Sequence, residues 1–185
     1  MRLKRADLLQ TALANRDLVR LTRGFDEVTV KGYVLAVGDA HFLVALVSDQ
    51  LRFDGFACFR VKDLKSIEVD PYRKFAEAAL KKRGLRRPRV PRVHLETTRV
   101  ILESASAISP LVTLHREEVD PEVCHIGQVI GTNRTQVALL EISPHAVWEQ
   151  AAATYALREI TRIDFGGSYE EALLLVGGQS GVPYP

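Results

Sequence analysis

The hexapeptide LVRLTR at residues 18–23 returns as LVTLHR at residues 111–116, and the correspondence runs on through the chain. GYV at 32–34 returns as GQV at 127–129, and VAL at 44–46 as VAL at 137–139. VKDLKSIEV at 61–69 returns as LREITRIDF at 157–165, and FAEAAL at 75–80 as YEEALLLV at 169–176. The displacement drifts only between 93 and 96 residues, so the slips read as loop insertions. A pattern that recurs in this way predicts one supersecondary unit built twice.

Each copy carries the same hydrophobic periodicities. A short amphipathic helix is predicted over residues 6–15, with Leu8, Leu9, Ala12 and Leu13 on one face, and again over 98–108 with Val100, Ile101, Ala105 and Ile108. Turn formers stop both helices: Asn15-Arg16-Asp17 in the first, Ser109-Pro110 in the second. Five strand-like runs follow at 18–22, 28–37, 42–47, 55–61 and 64–69, and at 111–116, 123–130, 136–142, 147–157 and 160–165. Gly38-Asp39, Asp54-Gly55, Gly131-Thr132-Asn133 and Ser143-Pro144 punctuate them. An Ala- and Leu-rich helix closes each copy.

A flat sheet of five short strands leaves long edges open, and a strongly bent sheet closing on itself removes them. Gly32 and Gly127, in the middle of the second run, suit such a bend. The predicted fold is therefore mainly β with flanking helices (α+β): two tandem small five-stranded bent-sheet barrels of Sm-like or SH3-like type, each preceded and followed by a short helix. Residues 1–80 form the first copy, 81–92 a basic linker, 93–178 the second copy and 179–185 a tail.

Helix-then-five-strands is the order of the Sm-like fold of Sm, LSm and Hfq proteins, and two stretches resemble its motifs. GYVLAVGDAHFLVAL (32–46) is similar to the first motif, with glycine in strand two and Asp39 at the turn. GQVIGTNRTQVALL (127–140) is similar again, with Asn133 at the turn. For the second motif, Phe59-Arg60-Val61 stands where the family has Ile-Arg-Gly, with Ile67 following. The second copy has Tyr155-Ala156-Leu157 there, without arginine. The resemblance implies that an asparagine-bearing turn and the arginine turn grip a base. The first copy keeps Arg60 but has Val61 in place of the glycine and Leu43 where asparagine is expected, and the second copy has lost both parts.

Apolar residues at 46 % and charged residues at 26 % are the balance of a globular chain. No stretch has the roughly 18–20 apolar residues of a membrane span, and MRLKRADLLQTALANR lacks a signal peptide's continuous apolar core. With its two separated cysteines, Cys58 and Cys124, expected as buried reduced thiols, the chain is expected to be cytoplasmic. Neither a phosphate-binding glycine loop nor an HExxH or CxxC spacing occurs. Neighbours Cys124 and His125 fall on opposite faces of a strand and make no local pair. No catalytic residue, cofactor or metal site is expected. Trp148 and Phe42 are the candidates for stacking on a base.

Charge is distributed unevenly. Residues 1–80 hold thirteen Lys/Arg against eleven Asp/Glu, residues 93–185 five against twelve. Between them KKRGLRRPRVPR (81–92) carries seven basic residues and no acid. Lys81, Lys82, Arg83, Arg86, Arg87, Arg89 and Arg92, with Arg60, are the candidate nucleic-acid contacts, able to neutralise phosphates without reading sequence. A second reading makes the strip a tether, its first cations complementing a helix C-terminus and the rest lying against the acidic copy. The expected function is non-catalytic and nucleic-acid-associated, with RNA or another polyanion as partner. The alternative is a protein-interaction or assembly module pairing through exposed edge strands, and an enzyme with a site between the barrels stands third.

Overall fold

The computed structural model describes residues 4–25 and 29–182. Val28, at the start of the second predicted strand, lies outside the described residues, as do Met1 to Leu3 and the end of the predicted tail. The chain divides into two units at Pro91/Arg92.

In the first unit α1 (Arg5–Asn15) buries Leu9 and Ala12, two residues of the apolar face. The Asp7 carboxylate accepts from the Lys4 N–H at 3.3 Å, placing negative charge at the helix N-terminus. The helix ends at Arg16, left-handed at φ 56°, whose N–H bonds the Leu13 carbonyl at 3.2 Å. β1 (Leu18–Arg23), β2 (Val30–Val37), β3 (His41–Val47) and β4 (Phe53–Arg60) follow. A 3-10 turn (Val61–Asp63) leads into β5 (Leu64–Val69), and α2 (Arg73–Lys82) closes the unit. The strands pair antiparallel in the order β5-β1-β2-β3-β4. Leu9, Val19, Leu21, Val34, Phe42, Val44, Phe59 and Leu64 fill the core. Asp70 fastens the end of β5, accepting from Arg20 Nε at 2.9 Å and from the Tyr72 N–H at 2.6 Å.

The second unit has the same succession. α3 (Thr98–Ser106) is capped by Thr97, whose hydroxyl accepts from the Val100 N–H at 3.2 Å. β6 (Val112–Arg116), β7 (Asp120–Thr132), β8 (Gln136–Glu141) and β9 (Ala153–Ala156) come next. A 3-10 turn (Leu157–Glu159), β10 (Arg162–Phe165) and α4 (Ser168–Gly177) complete it. The order is β10-β6-β7-β8-β9, again antiparallel. Both units are thus mainly β with flanking helices.

Two strands depart from the sequence reading by more than two residues. The run 147–157 contributes a strand only over its last third. Ala146 is left-handed at φ 57°, Trp148 bridges to Ile142, and the Trp148 indole N–H turns to the Gly178 carbonyl at 3.1 Å. β7 starts three residues earlier than expected, because the acidic connection tightens into a turn closed by Val119 N–H to Arg116 O at 2.7 Å. Of the cysteines, Cys58 is buried but Cys124 is exposed, contrary to expectation. Their apolar surroundings in sequence did not separate a central strand from the outer part of a long one.

Gly32 and Gly127 sit at equivalent places, opposite Leu46 and Glu141, with a register shift just beyond each. A Cβ on Gly32 would stand 2.4 Å from the Ala45 carbonyl oxygen, and one on Gly127 2.2 Å from that of Leu140. Backbone cannot yield as a side-chain end can. Gly131, on the same strand as Gly127, has nothing within 4 Å of such a Cβ. Gly127→Ala is therefore expected to destabilise the second unit by about 1–3 kcal/mol, while Gly131→Ala leaves it near wild type. Thermal melts of the two variants check this, and equal midpoints would remove the close-approach argument.

Candidate nucleic-acid interface

The Val61 N–H donates to the Ala40 carbonyl at 2.8 Å, tying the turn after β4 to the turn between β2 and β3. The hairpin turn is closed by Gly38 N–H to His41 O at 2.8 Å, and His41 stands opposite Arg60 across β3 and β4. The start of α1 arrives at the same place because its apolar face packs on the core below. These three segments surround a cavity of about 820 Å³. Lys4 and Arg5 come from α1 and its cap, Asp39 and His41 from the hairpin, Arg60 and Lys62 from the 3-10 turn. Four cations and a histidine face one carboxylate.

Arg60 is the predicted contact that lines this cavity, but it is not an outstretched side chain. Its Nε is ion-paired with the Asp63 carboxylate, and both side chains are about nine-tenths buried. The pair fixes the 3-10 turn and takes up one of the charges. Leu43 is wholly buried in β3, so that position belongs to the core. Phe42 is likewise fully buried, its ring 5.4 Å from Phe59, and offers no stacking surface. Trp148 packs on a small core of the second unit with Leu111, Ile142 and Leu173.

The seven cations of the basic strip occupy different structural settings. Lys81 and Lys82 form the last turn of α2, followed by its C-cap Arg83, where they complement the helix dipole. Gly84, at φ 71°, reverses the chain, and the Leu85 N–H bonds back to the Leu80 carbonyl at 2.9 Å. Arg87 lies 5.1 Å above the Tyr33 ring and donates from Nη2 to the Val34 carbonyl at 3.1 Å. Arg86, Arg89 and Arg92 are exposed. Lys81, Arg86 and Arg87 line a second cavity of the first unit, away from Arg60. Lys4, Arg5, His41 and Lys62 were not singled out from sequence, because their meeting depends on the hairpin turn touching the 3-10 turn.

The second unit has the same latch, Leu157 N–H to Thr135 O at 2.8 Å, with different chemistry around it. Asn133 uses its amide oxygen on the Thr135 and Gln136 N–H groups, both at 2.9 Å. Nearby, the Tyr155 hydroxyl bonds to Glu141 and lies 2.9 Å from His125 Nδ1, and Arg116 stacks 4.9 Å over the Tyr155 ring. Burial, and then the bond to Glu141, push the Tyr155 phenol far above its ordinary value.

One sheet face of this unit gathers Cys124, His115 and Asp164 from β7, β6 and β10. His115 stands opposite Cys124 and directs Nε2 at the Asp164 carboxylate from 3.4 Å. Cys124 is exposed as a residue, but partial burial of its sulfur raises the thiol, and Asp164 and Glu170 raise it further. Burial alone would raise Asp164 too. The Arg162 guanidinium at 2.6 Å and His115 outweigh it and hold the carboxyl at about 2.

Searches against protein-family models, curated proteins and solved structures return no match. No helix among the described residues is long and apolar enough to cross a membrane.

Asp164 has a folded-state pKa below its ordinary value, so its contribution is complete above about pH 4 and is lost as pH falls toward 2. Asp164→Asn should remove that part of the acid limb, on the order of 2 kcal/mol. Urea unfolding of both proteins at pH 6 and at pH 2.5 checks it. An unchanged difference in stability between the two pH values would contradict the assignment.

Proposed function

We propose that this chain is a non-catalytic RNA-binding protein with an Sm-like barrel in each half, and that the cleft between α1, the β2–β3 turn and the 3-10 turn of the first half receives the RNA. The observation that carries the reading is the convergence of Lys4, Arg5, His41, Arg60 and Lys62 on one cavity of about 820 Å³. Two turns that are far apart in sequence supply most of it, and they are the two that the Sm-like resemblance implies for gripping a base. Further support comes from the order β5-β1-β2-β3-β4 after an N-terminal helix, and from the close-approach glycine in the second strand of each half. The equivalent latch bonds from Val61 and Leu157 favour two copies of one unit.

On this reading affinity is largely electrostatic, with phosphates drawn to the cleft and little discrimination among sequences. Arg60 orders the turn through Asp63, while Lys4, Arg5 and Lys62 supply the field. The cations of the strip that lie outside both clefts, Lys82, Arg83, Arg89 and Arg92, contribute only to the general potential.

Fluorescence anisotropy with a short labelled single-stranded RNA across a salt series tests this. Binding at low ionic strength is expected to weaken linearly in log–log form as salt rises. Arg5→Ala and Lys62→Ala should each reduce the slope by about 0.7, the value for one lost phosphate contact on a single strand. Absence of binding at low salt, or a double variant with wild-type affinity and slope, would sink the proposal.

A further inference from the structure

The second cavity of the first unit, about 450 Å³, has a composition different from the first and lies where the chain folds back after α2. Tyr33 and Phe53, with ring centroids 6.2 Å apart at 43°, and the Leu80 and Leu85 side chains give it an apolar wall. Lys81, Arg86 and Arg87 supply three cations. Glu77 is the carboxylate of the lining, and Arg73, one turn earlier on α2, already stands 3.9 Å from it. Arg87 is the one of the three with a buried nitrogen left without an acceptor among the described residues. Its Nη2 reaches the Val34 carbonyl, while its Nη1 is buried and has no hydrogen-bond acceptor among the described residues. Burial lowers its pKa, with the charge of Arg16 adding to the effect. A half-buried guanidinium without a carboxylate leaves positive charge for a ligand to neutralise.

We propose that this cleft binds an organic phosphate of the mononucleotide class, with the phosphate among Lys81, Arg86 and Arg87 and a planar ring against Tyr33, Phe53 and Leu85. A phosphate monoester carries up to two negative charges, against a net of two positive ones in the lining. The ring matches the apolar wall, with the Arg87 guanidinium already lying over Tyr33 beside it. The volume falls in the range of small-molecule sites, about 300–1,000 Å³. Tyr33 stays a neutral phenol throughout, because burial and then Glu77 push its pKa up to about 12. The inference stands on a different cavity from the RNA cleft and does not need it.

Amide chemical-shift titrations of the full chain with AMP, adenosine and inorganic phosphate test it. AMP should shift the Phe53, Leu85 and Arg86 amides and saturate at roughly one-tenth the concentration needed for either half-molecule, since each half forfeits at least one favourable set of contacts. A Lys81→Ala/Arg86→Ala double variant, altered only at exposed side chains, should keep its melting midpoint and bind AMP at least about tenfold more weakly. No shifts with AMP, adenosine binding as well as AMP, phosphate binding as well as AMP, or undiminished binding by the variant would each overturn the proposal. Loss of RNA binding in Arg5→Ala/Lys62→Ala with intact AMP shifts supports it as a separate site. AMP shifts in a chain that binds no RNA at all would leave it standing and remove only the RNA reading.

Discussion

One backbone hydrogen bond, from the Val61 N–H to the Ala40 carbonyl, decides what the first unit can present to a ligand. It joins two turns twenty residues apart, and in each of them the chain has just left a buried strand. The turns have polar sequences because they are solvated, so bringing them together concentrates charge. Arg60 and Asp63 then lock the 3-10 turn from beneath. Such a pair, taken largely out of water, costs desolvation free energy that its attraction must offset, and its main effect is to hold the turn in one geometry. The carbonyl of Ala40 and the side chains of Lys4, Arg5, His41 and Lys62 are placed by that geometry. Without it they would be five polar groups on three mobile segments.

The close-approach glycines act one level lower. At Gly32 the β3 backbone comes within a distance that excludes any side chain, and a register shift lies just beyond it, between Val34 and Ala36. A bulge beside a glycine increases local twist and re-aims the strand end. Here the strand end carries the hairpin turn that joins the cleft. Core packing, strand bend and site geometry are therefore linked through one position that has no side chain.

Much of this was legible in the sequence, for identifiable reasons. Alternation and continuous apolar runs gave the strand succession, because Leu18, Leu21, Phe42 and Val44 are buried where their spacing placed them. The two glycines could be read as bend points since each stands in the middle of a strand-like run, Gly32 between Lys31 and Tyr33 and Gly127 between Ile126 and Gln128. The connection 147–157 was misread because Val147, Trp148, Thr154 and Tyr155 are strand-favouring residues, while the left-handed Ala146 and the tryptophan's turn to Gly178 depend on tertiary contacts. The cleft itself was half visible. Arg60 carries a motif signal, whereas Lys4, Arg5 and Lys62 are ordinary surface residues until two turns meet. The basic strip was the loudest signal and the least uniform in place: its members end up at a helix terminus, over an aromatic ring and in solvent. Composition reports charge per length of chain, and it carries no information on where a left-handed glycine reverses that chain.

The two units have the same latch bond with different chemistry around it. Leu157 N–H to Thr135 O repeats the bond of the first unit, so the backbone around both turns is held in the same way. In the second unit, however, Asn133 spends its amide oxygen on the turn's own N–H groups, and no arginine precedes the 3-10 turn. Arg116 is committed to Glu159 at 3.0 Å and to the Tyr155 ring, while Arg134 in the hairpin turn and Arg158 in the 3-10 turn are exposed. Glu141 and His125 meet on the Tyr155 hydroxyl and on each other. The Tyr155, His125 and Glu141 groups that bond one another have less left for a ligand. In the first unit the corresponding cavity is lined by Lys4, Arg5, Arg60 and Lys62 with the one carboxylate of Asp39. Divergence between the halves thus lies in the accounting of hydrogen bonds and charges at two equivalent turns, not in the strands that carry them.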